Sequence, residues 1–122
     1  MSLLVVGTVA LDSATYFSTS ASYFTDVRLV AVIGEDFPKE HIQFLKSKAI
    51  DTRGLQQEKG KTFHWKGEYG YDLNEARTLA TDLNVLATFK PVIIDDYKDS
   101  DVVFLANIDP EIQLDVLKQV KK

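Results

Sequence analysis

The sequence predicts an α/β domain: a small Rossmann-like, three-layer core on a mainly parallel sheet of about three strands, carrying a β lid. Three observations lead there. Residues 3–6 (LLVV), 29–33 (LVAVI) and 101–106 (DVVFLA) are short apolar runs of strand length, and continuous rather than alternating runs belong to strands covered on both faces. Each run is followed by apolar residues at helical spacing, the alternation of α/β proteins. Between them, residues 56–98 differ in character, beginning with an aromatic stretch of alternating polarity. The expected organisation is one domain over 1–122, with 1–55 and 99–122 as α/β core and 56–98 as a lid-like insertion.

The first strand, 3–6, is closed by Gly7. Asp12 or Ser13 can cap the helix that follows, in which Ala14, Phe17, Ala21 and Phe24 recur on one face. The second strand, 29–33, ends at Gly34, which supplies a turn; Asp36 can cap the next helix and Pro38 suits its first turn. That helix, about 38–48, turns Ile42 and Leu45 inward and Lys39, Glu40, Lys46 and Lys48 outward. Residues 61–71 alternate, with Phe63, Trp65, Tyr69 and Tyr71 on one side and Thr62, His64, Lys66 and Glu68 on the other, so a strand with an aromatic face is expected. In 72–88 the spacing of Leu73, Ala76, Leu79, Ala80, Leu83 and Leu86 is helical, and Asp72 with Glu75 makes a capping-box pattern; local physics alone gives a helix there. After the third strand, Asp109 and Pro110 open a final helix with Ile112, Val116, Leu117 and Val120 as its buried stripe.

Composition excludes several classes of function. Fourteen basic against eighteen acidic residues give a net charge of -4, without a window that concentrates Lys and Arg, so nucleic acid is not an expected partner. The chain has no cysteine, hence no disulfide, catalytic thiol or thiolate metal site. His41 and His64 lack carboxylates at ligand spacing, and Asp95, Asp96, Asp99 and Asp101 read as a solvated, turn-rich loop more than a cation site. No metal is expected. The opening residues carry neither a basic leader nor a long apolar span, so a soluble cytoplasmic protein without membrane contact is expected.

Two segments carry a family resemblance. Residues 27–38, V-R-L-V-A-V-I-G-E-D-F-P, resemble the strand and V-G-x-D-x-F-like turn of the ribokinase-like (PfkB) carbohydrate kinases. Residues 4–12, L-V-V-G-T-V-A-L-D, resemble the family's first strand and the Asp that contacts sugar hydroxyls. The resemblance implies that Asp12 is the substrate contact, that Gly34 and Asp36 shape the floor near it, and that Phe63 and Trp65 line a lid. Read from its neighbours alone, Asp12 is a helix cap beside a strand end. The resemblance also places a second lid strand near 77–82, against the helical reading.

Three departures from the family bear on activity. Ser13 joins directly to Ala14, where relatives have a lid hairpin and a Gly-Gly motif approaching the sugar. Ala49 stands where relatives usually end a helix with glycine. The G-A-G-D catalytic motif and the ATP-binding strands are not in this sequence. Phosphoryl transfer needs positioning and electrostatic stabilisation of the transferred group, so this chain alone is expected to have no catalytic residue and no cofactor, although intact relatives use ATP and Mg. Weak binding of a sugar or nucleoside is the expected limit. The rival expectation is a non-catalytic, engineered α/β scaffold or self-associating protein; a third is half of a split kinase. The aromatic strand 61–71 offers three readings: packing on the chain's own core, stacking on a ligand, or pairing with a second copy in a homo-oligomer.

Overall fold

In a computed structural model, which describes residues 1–9 and 13–121, the chain folds as β1 (Ser2–Val6), α1 (Ser13–Ala21), β2 (Asp26–Ile33), α2 (Lys39–Ser47), β3 (Asp51–Gln57), β4 (His64–Tyr69), β5 (Ala76–Asp82), β6 (Val102–Leu105) and α3 (Pro110–Gln119). Short 3-10 turns occupy Asn84–Thr88 and Asp95–Tyr97. Four strands form a parallel sheet in the order β3-β2-β1-β6, and β4 and β5 form a separate two-stranded sheet. Ser2 faces Asp26 and Val6 faces Val30 across β1 and β2, while Leu3 faces Val102 of β6.

Alternation along the strands divides the core into two layers. Leu3, Val5, Leu29 and Ile33 join Ala14 of α1 and Leu45 of α2 on one face. Leu4, Val6, Val30 and Val32 join Val116 of α3 and Val85, Phe89, Ile93 and Tyr97 on the other. A strand buried on both sides must be apolar at every position, which is why β1 and β2 read as continuous runs. Leu4 and Leu29 are fully buried, each contributing about 2 kcal/mol or more through the area removed from water. Phe17 of α1 stacks on Phe104 of β6 with centroids 3.8 Å apart.

The structure adds to the sequence expectation and corrects it in places. The sheet has a fourth strand, β3, whose sequence DTRGLQQ is too polar to announce itself. It is an edge strand, joined to β2 where Gly54 lies against Leu29; a Cβ there would come within 2.5 Å of the Leu29 carbonyl oxygen. Of the two readings of 72–88, the strand that the resemblance implies near 77–82 holds, as β5, and the helix does not. β5 is an antiparallel strand paired with β4, Glu68 opposite Arg77 and Tyr69 opposite Ala76. A leucine stripe makes a helix only where there is a surface to bury it on, and Leu73, Leu79 and Leu83 remain exposed. α1 ends at Ala21, leaving Phe24 beyond its apolar face and 90% exposed. Leu117 is half exposed, so Ile112, Val116 and Val120 form the packed side of α3 without it. Asp36 does not cap α2, whose N-cap position is Pro38 without a side-chain bond.

Within 56–98 only the β4–β5 ribbon stands away from the core. No residue of β4 or β5 is buried, whereas Val85, Phe89, Ile93 and Tyr97 return to the second core layer. Among the described residues, no helix is long and apolar enough to cross a membrane.

Candidate functional site

The four parallel strands share one carboxyl edge, where Gly7 follows β1, Gly34 follows β2 and Ala106 follows β6. The order β3-β2-β1-β6 means that the chain moves outward from β1 to β3 and later returns to the opposite side of β1. Open α/β sheets form their ligand crevice at the carboxyl edge, where the winding reverses, here between β1 and β6. Gly7 sits at that point. A Cβ on Gly7 would lie 2.7 Å from the Cβ of Ala106 and 3.0 Å from that of Ala14, so glycine lets β1, β6 and α1 close together. Asp12, the substrate contact implied by the resemblance, lies outside the described residues.

β3 ends on the same edge, and residues 58–62 run back along it to the turn after β2. The Glu58 amide donates to the Ile33 carbonyl at 2.9 Å, and the Glu35 amide to the Gly60 carbonyl at 2.8 Å. The Gly34 amide donates to Thr62 Oγ1 at 2.9 Å. Thr62 then donates twice to Asp36 Oδ1, from its amide at 2.7 Å and from its hydroxyl at 2.8 Å. Gly34 is glycine for reasons of space: a Cβ would approach the Gly60 carbonyl oxygen to 2.3 Å and the Thr62 nitrogen to 2.6 Å. Hydrogen bonds to a carboxylate favour its charged form, and the Thr62 amide foremost, then its hydroxyl, holds the Asp36 carboxyl below its ordinary value.

Two of the candidate site residues, Gly34 and Asp36, are thus brought together, with Thr62 as the link between them. Thr62 is nearly buried, and sequence reasoning missed it. Nothing local marks it, because its partners lie 26 and 28 residues earlier in the chain. Phe63 is half-buried and immediately follows Thr62, just ahead of β4. Trp65 lies on β4, 43% exposed; its Nε1 donates to Thr78 Oγ1 of β5 at 3.2 Å, and its ring covers Gly67. Tyr69 and Tyr71 are also exposed. The aromatic strand does not bury its face in the chain's own core.

The opposite edge of the sheet carries a different polar cluster. Arg53 forks onto Asp51, Nη2 to Oδ2 at 2.8 Å, and reaches Asp96 with Nη1 at 2.9 Å. The Arg53 and Arg28 guanidinium groups lie 5.7 and 5.8 Å from the ring centroid of Tyr97. Burial pushes the Tyr97 hydroxyl well above its ordinary value. This cluster joins the starts of β2 and β3 to the turn before β6 and lies away from the crevice. Among the described residues, no group of three His, Asp or Glu side chains is placed to hold a metal ion, and no step of phosphoryl transfer is assigned to these side chains.

No family model matches the chain. A cytidine kinase of Thermococcus kodakarensis is 30% identical over 138 residues, covering 99% of this chain and 49% of that enzyme. The matched region exceeds the 122 residues of this chain, so the relative holds additional residues within it. The crystal structure of a Methanocaldococcus jannaschii nucleoside kinase, an archaeal member of the ribokinase family, superposes with a TM-score of 0.72 at 17% identity, over 97% of this chain and 48% of that one. The chain spans about half the length of these relatives. In fold the chain is ribokinase-like, and in sequence it is similar to a cytidine kinase, in each case over about half of the relative's length.

Proposed function

We propose that the chain is the substrate-side portion of an ATP-dependent sugar or nucleoside kinase, and that alone it binds such a ligand weakly without turning it over. The observation that carries this reading is the match to a cytidine kinase along 99% of the chain. On this reading Asp12 accepts hydrogen bonds from ligand hydroxyls beside the turn formed by Gly34 and Asp36. Phe63 and Trp65 offer aromatic faces from the lid, and a planar base or sugar ring stacks on them. ATP, Mg and the catalytic Asp belong to the remainder of such a kinase, and the absence of cysteine fits a cytoplasmic setting. NMR titration with cytidine, adenosine and ribose tests the reading. Shifts clustered at residues 7–9, 34–37 and 62–65, lost in Asp12→Ala, are expected; no shift there at high millimolar ligand would remove the residual site. ADP release from magnesium-ATP by the purified chain is expected to stay at background with each of these ligands.

A second reading, self-association through residues 61–71, is favoured by the exposure of Trp65, Tyr69 and Leu79 on a two-stranded ribbon. Such a ribbon is marginal in water by itself. A shorter chain than the matched region of its relative also fits a pared-down, engineered scaffold. Sedimentation of the wild type and of Trp65→Lys discriminates. A dimer that dissociates in the variant supports association, and a monomer at every concentration removes it.

A further inference from the structure

We infer that Thr62 and Asp36 are positioning residues that set the angle of the β4–β5 hairpin on the core, through a splice that holds both of its roots at one point. The first root, residues 60–62, is tied to the turn after β2 by Glu35 to Gly60, Gly34 to Thr62 and Thr62 to Asp36. The second root is tied to the first: Asn84 Nδ2 donates to the Thr62 carbonyl at 3.0 Å and the Val85 amide to the Lys61 carbonyl at 3.0 Å. Thr62 therefore uses its amide, hydroxyl and carbonyl at once, toward Asp36, Gly34 and Asn84. Each root also contains a residue with positive φ, Gly60 at 118° and Asn84 at 52°, so the chain turns sharply as it enters and leaves the hairpin. Among the described residues the hairpin buries none of β4 or β5, so its roots carry its main attachment.

The Thr62 hydroxyl links the Gly34 amide to the Asp36 carboxylate and is the one link of the splice that a side-chain substitution at Thr62 removes. Its loss leaves the Gly34 amide buried without its acceptor and removes one of two donors to Asp36. The core layers contain none of these bonds and keep their packing. The hairpin is then held by the remaining root bonds alone and swings more widely on its two sharp turns. This holds whether or not the crevice takes a nucleoside.

Trp65 is the chain's single tryptophan and is fixed to the hairpin by its contact with Gly67 and its bond to Thr78, so its emission reports the arm rather than the core. The experiment measures time-resolved Trp65 anisotropy and amide exchange in the wild type, Thr62→Val, Thr62→Ser and Asp36→Ala. In Thr62→Val and Asp36→Ala, a fast depolarising component is expected to appear, and amides 64–82 should exchange about tenfold faster while β1 and β2 are unchanged. Thr62→Ser, which keeps the hydroxyl, should behave as wild type. Unchanged anisotropy in Thr62→Val would overturn the inference. So would equal acceleration in β1, β2 and the hairpin, or a Thr62→Ser variant no better than Thr62→Val. Should Thr62→Val fail to fold, Asp36→Ala and Asn84→Ala carry the same comparison.

Discussion

Thr62 donates its amide and its hydroxyl to the same atom, Oδ1 of Asp36, at 2.7 and 2.8 Å. The resemblance places Asp36 on the floor of a substrate crevice, and local sequence makes it a helix cap, yet its carboxylate serves the root of the hairpin. Its lowered proton affinity gives the relation a direction. A carboxyl whose folded value lies below its unfolded one stabilises the fold above the ordinary value of 3.8, and the contribution is lost as pH falls through the lower folded value. The Thr62 amide proton should therefore titrate on the acid side of 3.8, and Asp36→Ala should abolish that step. A Thr62 amide shift that is flat down to acid unfolding would show that the bond does not persist in solution.

Gly34→Ala should be among the most damaging single substitutions in the chain. The obstacle is backbone of the connection between β3 and β4, the Gly60 carbonyl oxygen at 2.3 Å and the Lys61 carbonyl carbon at 2.5 Å, and backbone cannot rotate away as a side chain can. Overpacking of this kind costs about 2 to 3 kcal/mol. Urea unfolding measures it. A cost under about 0.5 kcal/mol would mean that residues 60–62 yield freely, and that the splice at Thr62 is looser than its bond lengths imply.

Legibility in the sequence followed burial on two faces. β1 and β2 announce themselves because strands in the middle of the sheet, covered on both faces, must be apolar throughout; β6 lies at an edge and is legible because Val103, Phe104 and Leu105 still pack against the two core layers, and Leu45 and Val116 mark the inner sides of α2 and α3. β3 was illegible because an edge strand needs only Gly54 and Leu55 to meet the core and is otherwise polar. β5 was legible through the family resemblance and not through its own periodicity, since its leucines keep a helical spacing although pairing with β4 decides its form. At the candidate site, Gly34 and Asp36 were visible as turn residues, but Thr62 acquires its meaning only when the chain after β3 folds back beside them. A bond that spans 26 residues leaves no local pattern.

Ala49 was legible as an anomaly. After α2 the Ile50 amide donates to the Leu45 carbonyl at 3.2 Å and the Ala49 amide to the Lys46 carbonyl at 3.0 Å, which places Ala49 at the left-handed position of a Schellman cap. Its φ is 58°, a region in which a Cβ crowds the following carbonyl at a cost of about 1 kcal/mol or more. Glycine relieves the crowding but gives back part of the gain through the freer unfolded chain. Ala49→Gly should stabilise by about 0.5 kcal/mol and raise Tm by a few degrees. Calorimetry at neutral pH checks the sign, and a lowered Tm would mean that unfolded-state entropy outweighs the relief.

The Asp51–Arg53 pair should set part of the acid limb of stability. Hydrogen bonds from Arg53, above all, hold the Asp51 carboxyl at about 2 against an ordinary 3.8. With the folded value depressed, the carboxylate's contribution is complete above about 4 and drains away between about 4 and 2. Arg53 is largely open to solvent, its side chain 58% exposed, so the contribution is nearer about 1 kcal/mol than the full value of the shift. Asp51→Asn should cost about that much at pH 6 and progressively less as the pH falls through this window. Because Arg53 also bonds Asp96 at 2.9 Å, the guanidinium keeps one carboxylate in the variant and the loss stays modest. Urea midpoints of the wild type and Asp51→Asn from pH 7 to 3 measure the convergence; parallel curves across that range would show that the Asp51 carboxyl titrates alike in the folded and unfolded chain.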